Sequence, residues 1–468
     1  MQKEKERTAA LFILCAASFL VPFMGSAINL SLPQISETFS MKAVSLSWIA
    51  TAYLITTAVF QVPFARLADL FGRKRIFIAG IAIFGVATFL CGLTHPLHRL
   101  FPSGILLIVF RAISGLGCAM MFGTSMAILT SIFPPDKRGR AIGINTAIVY
   151  FALASGPFLG GVLTHCLGWQ SLFYLTGLVG CLVAAGAFAF LKGEWVESKG
   201  EKFDSTGSVI FAAGLCCLIV GFSGLPGTAG CLLIVAGLAA SVLFVLYELR
   251  DRQPVFNVRI FSGNRIFGLS SLSALINYAC TSAVAFMMSL YLQYIRGFDA
   301  HGAGLILIVQ AGVQCAVSLY AGRWSDRFNP SLIATAGMGI ILAGLIGFIF
   351  LSPDTSLAVI IGLLALLGLG FGMFSSPNAN VIMSSVDRKY YGQASATIGT
   401  VRLTGQAFSM GIAMMAISLH LGNRLIVPEL YPLFMRSFRL TFEICAALCL
   451  IGTYASTFRT QRKKSIRQ

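Results

Sequence analysis

Few residues of this sequence could do chemistry, and most of them lie beside or inside long apolar segments. Asp69, Gly72 and Arg73 follow the second such segment, and Asp326 and Arg327 follow the tenth. Asp69 could accept hydrogen bonds from a neighbouring helix N-terminus, and Arg73 could pair with an acidic or carbonyl group on the same face. Such contacts would form in one conformation and break in another, so both groups are predicted to form a conformational latch. The alternative is that the basic residues only set topology, which needs neither Asp69 nor Gly72.

Arg111, Arg402 and Glu443 are ionisable residues within apolar segments, where charge is expensive. An arginine near the middle of a spanning helix costs about 2.5 to 3.5 kcal/mol on insertion scales, so Arg111 must face the protein interior. One interpretation is a structural hydrogen-bond anchor to carbonyl groups of a neighbouring helix, and the same interpretation applies to Arg402. Glu443 is a candidate proton carrier, or else a structural partner of Arg439 one turn before it.

Small and polar residues mark two further features. The fifth span contains a helix-kinking proline and three glycines that permit close helix contact, namely Pro157, Gly156, Gly160 and Gly161. This combination predicts a hinge, or close packing alone. Polar and aromatic residues inside the apolar segments are candidates for a substrate pathway, although an interhelical hydrogen bond explains each one taken alone. These candidates are Asn29, Tyr53, Asn145, Tyr150, Asn277, Tyr278, Gln310, Gln314, Asn380 and Gln406.

The remaining residue patterns predict neither an enzyme nor a cofactor site. The 12 cysteines include no C-x-x-C pair, and the five histidines fall at or near predicted helix ends, so no metal site is expected. No paired carboxylates or nucleophile with a base are visible at depth. The phosphate-binding pattern G-x-x-x-x-G-K followed by Ser or Thr is also missing. The expected energy source is therefore a gradient or nothing.

Long helices must position these residues, because the composition is that of a membrane protein. Of the 468 residues, 57% are hydrophobic and 11% are charged, and the mean hydropathy is +0.83. A helix needs about 20 apolar residues to cross the hydrocarbon core of a bilayer. On that rule the sequence predicts fourteen spans, near 9–32, 44–65, 76–94, 103–132, 140–164, 170–191, 206–224, 228–248, 266–294, 301–322, 331–351, 356–385, 392–419 and 438–457. No hydrophilic stretch is long enough for a tethered enzyme or for the output domain of a sensor.

The net charge of +17 is interpreted as a signal of orientation rather than of nucleic-acid binding. With both termini in the cytoplasm, 26 of the 34 Lys and Arg residues fall in cytoplasmic segments, six in external segments and two inside helices. Basic residues concentrate in the cytoplasmic loops of membrane proteins. The sequence therefore predicts a multi-pass protein of the cell membrane with both termini cytoplasmic, and no nucleic-acid partner.

The chain also repeats itself. Asp69 and Asp326 are 257 residues apart, and Gly139 and Gly392, at the starts of the fifth and thirteenth spans, are 253 apart. Two six-helix halves with two extra helices between them would produce such offsets. The predicted division is residues 1–191 for an N-terminal six-helix bundle, 192–262 for two additional helices with flanking cytoplasmic loops, and 263–468 for a C-terminal six-helix bundle with a basic tail. Parallel repeats of this kind are typical of alternating-access transporters.

Three motifs occur in a characteristic order. Residues 65–75 carry a loop signature that contains Asp69, Gly72 and Arg73, residues 111–117 begin with an arginine followed by small residues, and residues 156–161 read G-P-x-x-G-G. In order and spacing they resemble the major facilitator superfamily, specifically its fourteen-helix drug:proton antiporter branch. The resemblance covers essentially the whole chain. It implies an all-α integral membrane fold of two six-helix bundles in a pseudo-twofold arrangement, plus two extra central helices.

The resemblance also implies a function, namely secondary active efflux of small hydrophobic or amphipathic compounds, of the multidrug type, by alternating access and proton antiport. It further implies that Arg111 and Arg402 act in transport or coupling, by handling the substrate or a proton. One position departs from the pattern, because Met24 stands where this branch usually carries an acidic residue in the first span. An uncoupled or differently coupled exporter of a specific metabolite is therefore the alternative. The expected partners are a small-molecule substrate, protons and the lipid bilayer, and no cofactor is expected.

Overall fold

The computed structural model describes residues 2–97, 104–191, 193–196, 203–225, 227–250, 258–386, 391–422 and 424–457. Over these ranges the chain is helical and contains no strand, and fourteen of its helices are long. The first eight are α1 (Gln2–Phe39), α2 (Ala43–Phe71), α3 (Arg73–Leu97), α4 (Ile105–Ile132), α5 (Pro135–Leu167), α6 (Trp169–Phe190), α7 (Ser205–Ser223) and α8 (Thr228–Glu248). After the short α9 (Arg259–Gly263) come α10 (Arg265–Leu290), α11 (Ala300–Arg327), α12 (Pro330–Ile349), α13 (Leu357–Ser384), α14 (Tyr391–His420) and α15 (Tyr431–Thr457).

The fourteen predicted spans are confirmed as helices, and several helices extend beyond the predicted apolar core. α1 continues through Pro33 to Phe39, and α15 begins at Tyr431 rather than near 438. Such extensions are expected because a helix satisfies its own backbone hydrogen bonds whether it lies in lipid or at the polar surface. Thirteen of the described helices are long and apolar enough to cross a membrane, and α14 is not among them.

The first compact unit comprises residues 1–218, 236–256 and 299–304. Within it α1 packs on α5 and α6, α2 packs on α4, and α3 packs on both α4 and α6. Its core contains the largest fully buried side chain of the described residues, Trp169, whose indole Nε1 donates a hydrogen bond to Thr38 Oγ1 at 3.1 Å. This bond joins the start of α6 to the end of α1.

The second compact unit comprises residues 219–235, 257–298 and 305–468. Here α10 packs on α14 and α15, and α12 packs on α13 and α15. The pairs α10–α14, α12–α13 and α12–α15 repeat the pairs α1–α5, α3–α4 and α3–α6 of the first unit. The helix order therefore carries the internal repeat that the aspartate spacing predicted.

Of the two additional helices, α8 exposes most of its side chains, whereas most side chains of α7 are buried or half-buried. On α8 the exposed side chains include Leu232 at 71% and Val235 at 65%. Long apolar helices with so much exposed surface fit a lipid environment, where an apolar side chain needs no protein partner. Each compact unit takes part of these helices, so the three-part division at residues 191 and 262 stays a prediction.

Candidate functional site

Arg111 lies in α4, and its side chain is only 1% exposed. Its Nε donates a hydrogen bond to the carbonyl oxygen of Ile49 at 3.0 Å, and its guanidinium carbon lies 4.3 Å from the ring centroid of Tyr53. Both partners belong to α2. The Nη1 and Nη2 atoms are buried and find no hydrogen-bond partner among the residues that the structure describes.

No compensating carboxylate lies against Arg111 in the described part of the chain. The groups that interact with it electrostatically are the Tyr53 hydroxyl and the thiols of Cys91 and Cys118. Met24, at the position of the expected first-span acid, is fully buried and apolar. A buried guanidinium with two unused donor nitrogens carries a desolvation penalty, and hydrogen-bond acceptors or an anion would relieve it. This arrangement can donate hydrogen bonds to a substrate or to a moving protein group.

The turn between α2 and α3 is a single residue, Gly72, with φ +116°. That conformation favours glycine because a Cβ is strained there. Arg73, which begins α3, is buried, and its Nε donates to Asp69 Oδ1 at 2.8 Å. Its Nη1 donates to Ser131 Oγ at 3.2 Å, at the end of α4. The structure therefore brings Asp69 and Arg73 together with each other, within one compact unit.

Sequence reasoning missed one member of this site, Glu194. Its Oε1 accepts a hydrogen bond from the backbone N–H of Lys74 at 2.9 Å, and its Oε2 lies 3.6 Å from Nε of Arg75. The signal in the sequence was an acidic residue in a segment that is predicted to be cytoplasmic, where basic residues usually concentrate. That signal gives no hint of the partner, which lies about 120 residues earlier.

The counterpart in the second half is partly outside the described structure. Arg327 ends α11 and is exposed, whereas the side chain of Asp326 is not among the described ones. A cavity of about 330 Å³ is lined by Tyr320, Arg323, Trp324 and Arg327. Its lining therefore combines two arginines one turn apart with two aromatic rings. The latch role of Asp326 and Arg327 remains a prediction.

The predicted hinge residues all lie in α5, where Pro157 is internal to the helix. A Cβ at Gly156 would come within 1.8 Å of Ser26 Oγ, and one at Gly160 within 2.6 Å of the Ala27 side chain, both on α1. One at Gly161 would come within 2.5 Å of the Ala300 carbonyl oxygen, which belongs to the same compact unit. These glycines therefore permit the close approach of α5 to its neighbours. Close packing is observed, and the hinge remains a prediction.

The candidate pathway residues occupy two classes of environment. Asn29, Tyr53, Asn145 and Asn277 are buried, while Tyr150, Tyr278, Gln310, Gln314, Asn380 and Gln406 are half-buried. Neither side-chain polar atom of Asn277 has a hydrogen-bond partner among the described residues. Asn380 Nδ2 instead donates to Ser325 Oγ at 3.1 Å, which joins α13 to α11. Asn380 therefore forms the interhelical hydrogen bond that was its alternative interpretation, and Asn277 lacks one.

The two other ionisable candidates lie in the second unit. Arg402 is half-buried in α14. Glu443 and Arg439 are both exposed on α15, and in the described part of the chain no ion pair joins them. The proposed pairing is thus not formed in this structure, and the role of Glu443 stays a prediction.

The sequence is similar to those of known membrane transporters. The profile of the Major Facilitator Superfamily matches residues 14–410. The chain is 26% identical to the riboflavin transporter RibZ of Clostridioides difficile, over 97% of this chain and 98% of that protein. It is 31% identical to the cephamycin export protein CmcT of Amycolatopsis lactamdurans, over 88% and 85%. It is 29% identical to the multidrug resistance protein Stp of Mycobacterium tuberculosis, over 82% and 71%.

A solved structure shares the fold. The crystal structure of a bacterial homologue of the human lysosomal transporter Spinster, inward-facing and unoccupied, superposes with a TM-score of 0.71. The two chains are 17% identical, and the match covers 97% of each. At that identity the likeness supports the fold alone.

Proposed function

We propose, from the premise that this chain belongs to the Major Facilitator Superfamily, that it is a secondary active exporter of small hydrophobic or amphipathic compounds. It works by alternating access, and it exchanges its substrate for protons. The family and fold are those of transporters, not of enzymes. The latch residues Asp69, Gly72 and Arg73, with Asp326 and Arg327, and the hinge in α5 supply the conformational change.

The observation that carries this proposal is the environment of Arg111. A guanidinium buried in a spanning helix costs several kcal/mol in lipid, and here two of its three nitrogens have no hydrogen-bond partner among the described residues. Intramembrane ionisable residues mark substrate or ion pathways as a rule. Arg111 therefore acts on a substrate or on a proton-carrying group.

The charge of Arg111 also bears on the class of substrate. At a distance of about 8 Å and an effective dielectric of about 20, one positive charge raises the energy of a second by about 2 kcal/mol. No buried carboxylate offsets this field near Arg111 in the described residues. Neutral amphipathic compounds with hydrogen-bond acceptors are therefore better substrates than lipophilic cations. Few Lys and Arg residues lie within the spanning helices, which also argues against substrates with several negative charges.

A second function is supported by one comparison. RibZ, the relative that aligns over nearly the full length of both chains, is named a riboflavin transporter. Transport of one specific metabolite, uncoupled or differently coupled, fits Met24 in place of the usual acid. CmcT and Stp, which are named for export and for multidrug resistance, favour the first proposal.

The experiment is transport in proteoliposomes with and without an imposed pH gradient. The probes are riboflavin, as a neutral aromatic compound, and ethidium, as a lipophilic cation. We expect gradient-stimulated movement of riboflavin or other neutral compounds and weaker movement of ethidium. A transport rate that is the same with and without the pH gradient supports the second function. If no probe in a broad panel is transported, both proposed functions are wrong.

A further inference from the structure

The connection between α6 and α7 contacts the turn between α2 and α3. Residues 193–196, which we call the strap, bring Glu194 and Trp195 to the first residues of α3. The carbonyl oxygen of Trp195 accepts a hydrogen bond from the backbone N–H of Arg73 at 3.0 Å. Glu194 Oε1 accepts from the backbone N–H of Lys74 at 2.9 Å. The first two donors of α3 are therefore both bound by the strap.

The strap compensates a charge conflict at the start of α3. A helix N-terminus has a positive partial charge, which acidic residues stabilise. α3 begins instead with Arg73, Lys74 and Arg75, and its first turn contains no acidic residue. Glu194 brings the missing negative charge from a distant part of the chain, and its side chain is only 29% exposed. It does for α3 what a local capping residue does for other helices.

Gly72 makes room for this carboxylate. A Cβ at Gly72 would lie within 2.6 Å of the Glu194 carboxyl carbon, so a larger residue would displace this carboxylate. The next residue is Arg73, whose guanidinium is bound to Asp69 and Ser131. Because the strap holds the backbone N–H of Arg73, it also restricts the direction in which the Arg73 side chain leaves the helix.

We propose that Glu194 is the positioning residue of the Asp69–Arg73 pair. Its carboxylate fixes the start of α3 so that Arg73 stays against Asp69 and Ser131. The inference rests on the proposed function only where it treats this turn as a latch.

The first test measures the strap itself by residue-resolved hydrogen–deuterium exchange on the full-length protein in nanodiscs. In Glu194→Ala the amides of Arg73 and Lys74 should exchange about two- to five-fold faster, because an anion at a helix N-terminus stabilises it by that factor. Glu194→Gln keeps an acceptor oxygen and loses the charge, so a smaller increase is expected. Glu429→Gln removes an exposed carboxylate far along the chain and should change neither amide. Unchanged exchange in Glu194→Ala overturns the proposal.

The second test measures positioning through transport. Glu194→Ala should lower kcat by about two- to five-fold and leave KM unchanged, because the latch must re-form in each cycle while the substrate residues lie elsewhere. In an Asp69→Asn background the same change should have no further effect. Independent, additive effects show that Glu194 does not act through Asp69 and contradict the positioning role. If the wild-type protein transports no probe, the proposed function fails, and hydrogen exchange still decides whether the strap exists.

Discussion

Arg111 is a charged side chain that the protein keeps inside an apolar bundle. It donates one hydrogen bond to Ile49 and stacks on the Tyr53 ring. A guanidinium has five N–H donors, so these two contacts replace only part of the hydrogen bonding that it loses when it leaves water. A purely structural anchor would use its five donors on neighbouring carbonyls. The unused Nη1 and Nη2 therefore favour a role in turnover over a role in folding.

Replacing Arg111 with Leu should separate insertion from transport. The change removes the cost of inserting a charge, so Arg111→Leu should reach the membrane at normal abundance while transport is lost. Abundance is measured by immunoblot of membranes and transport by proteoliposome uptake. Arg424→Leu removes the same charge at an exposed position and should transport normally. If Arg111→Leu transports as well as the wild type, Arg111 is a structural anchor.

Met24 and Glu443 decide how protons could couple to transport. The buried Met24 cannot carry a proton, and Glu443 is exposed on α15 without an ion pair to Arg439 in the described structure. Coupling requires a group that changes protonation between the two faces. Proton release on substrate addition should therefore be weak in the wild type, lower still in Glu443→Gln, and higher in Met24→Asp. It is measured in weakly buffered detergent solution.

One outcome would place the coupling site elsewhere. Robust one-for-one proton release that survives Glu443→Gln and gains nothing from Met24→Asp contradicts both candidates. Asp69 would then be the next residue to replace, because it is the remaining carboxylate of the latch turn in the first unit.

At the scale of elements, the seam between α1 and α5 depends on glycine. Gly156 faces Ser26, whose hydroxyl is bonded to the carbonyl oxygen of Pro22 in its own helix. Because the Ser26 hydroxyl already has a partner, it cannot turn away without cost. The two helices therefore approach closely only while position 156 has no side chain.

Gly156→Ala should destabilise the protein by about 1 to 3 kcal/mol, the usual cost of overpacking a tight interface. Ser26→Ala in the same molecule removes the hydroxyl nearest to the new Cβ and should restore part of the loss. Gly186→Ala on α6 is the matched control, because nothing lies within 4 Å of the position of its Cβ. Thermal unfolding in detergent measures all four proteins. Equal melting temperatures for Gly156→Ala and Gly186→Ala would show that the seam tolerates a side chain.

At the scale of the whole molecule, topology follows from where basic residues accumulate. The 26 to 6 division predicts that the end of α5 lies outside the cell and the segment after α6 inside. Cys166, near the end of α5, is exposed and offers a native thiol for labelling.

A membrane-impermeant maleimide applied to intact cells should therefore label Cys166. It should not label a cysteine introduced by Val196→Cys until the membrane is opened. Mass spectrometry of the purified protein locates the labels. Labelling of Val196→Cys in intact cells, with Cys166 protected, would invert the predicted orientation.

The sequence alone determined the class, the number of helices and the family resemblance of this protein. Spanning helices are set by local composition, because any segment of about 20 apolar residues in lipid must satisfy its own backbone hydrogen bonds. The spacing of Asp69 and Asp326 likewise revealed the repeat, and the predicted spans are helices in the structure.

Only the tertiary structure decided which side chains meet. A helix that is apolar on every side has no amphipathic pattern that identifies its packed face. The sequence therefore does not predict the rotation of such a helix or its register against its neighbours. Three facts therefore came from packing alone, namely the binding of Arg73 to Ser131, the capping of α3 by Glu194, and the two Arg111 nitrogens that have no hydrogen-bond partner among the described residues. Each depends on residues from separate helices or connections that composition and spacing do not relate to one another.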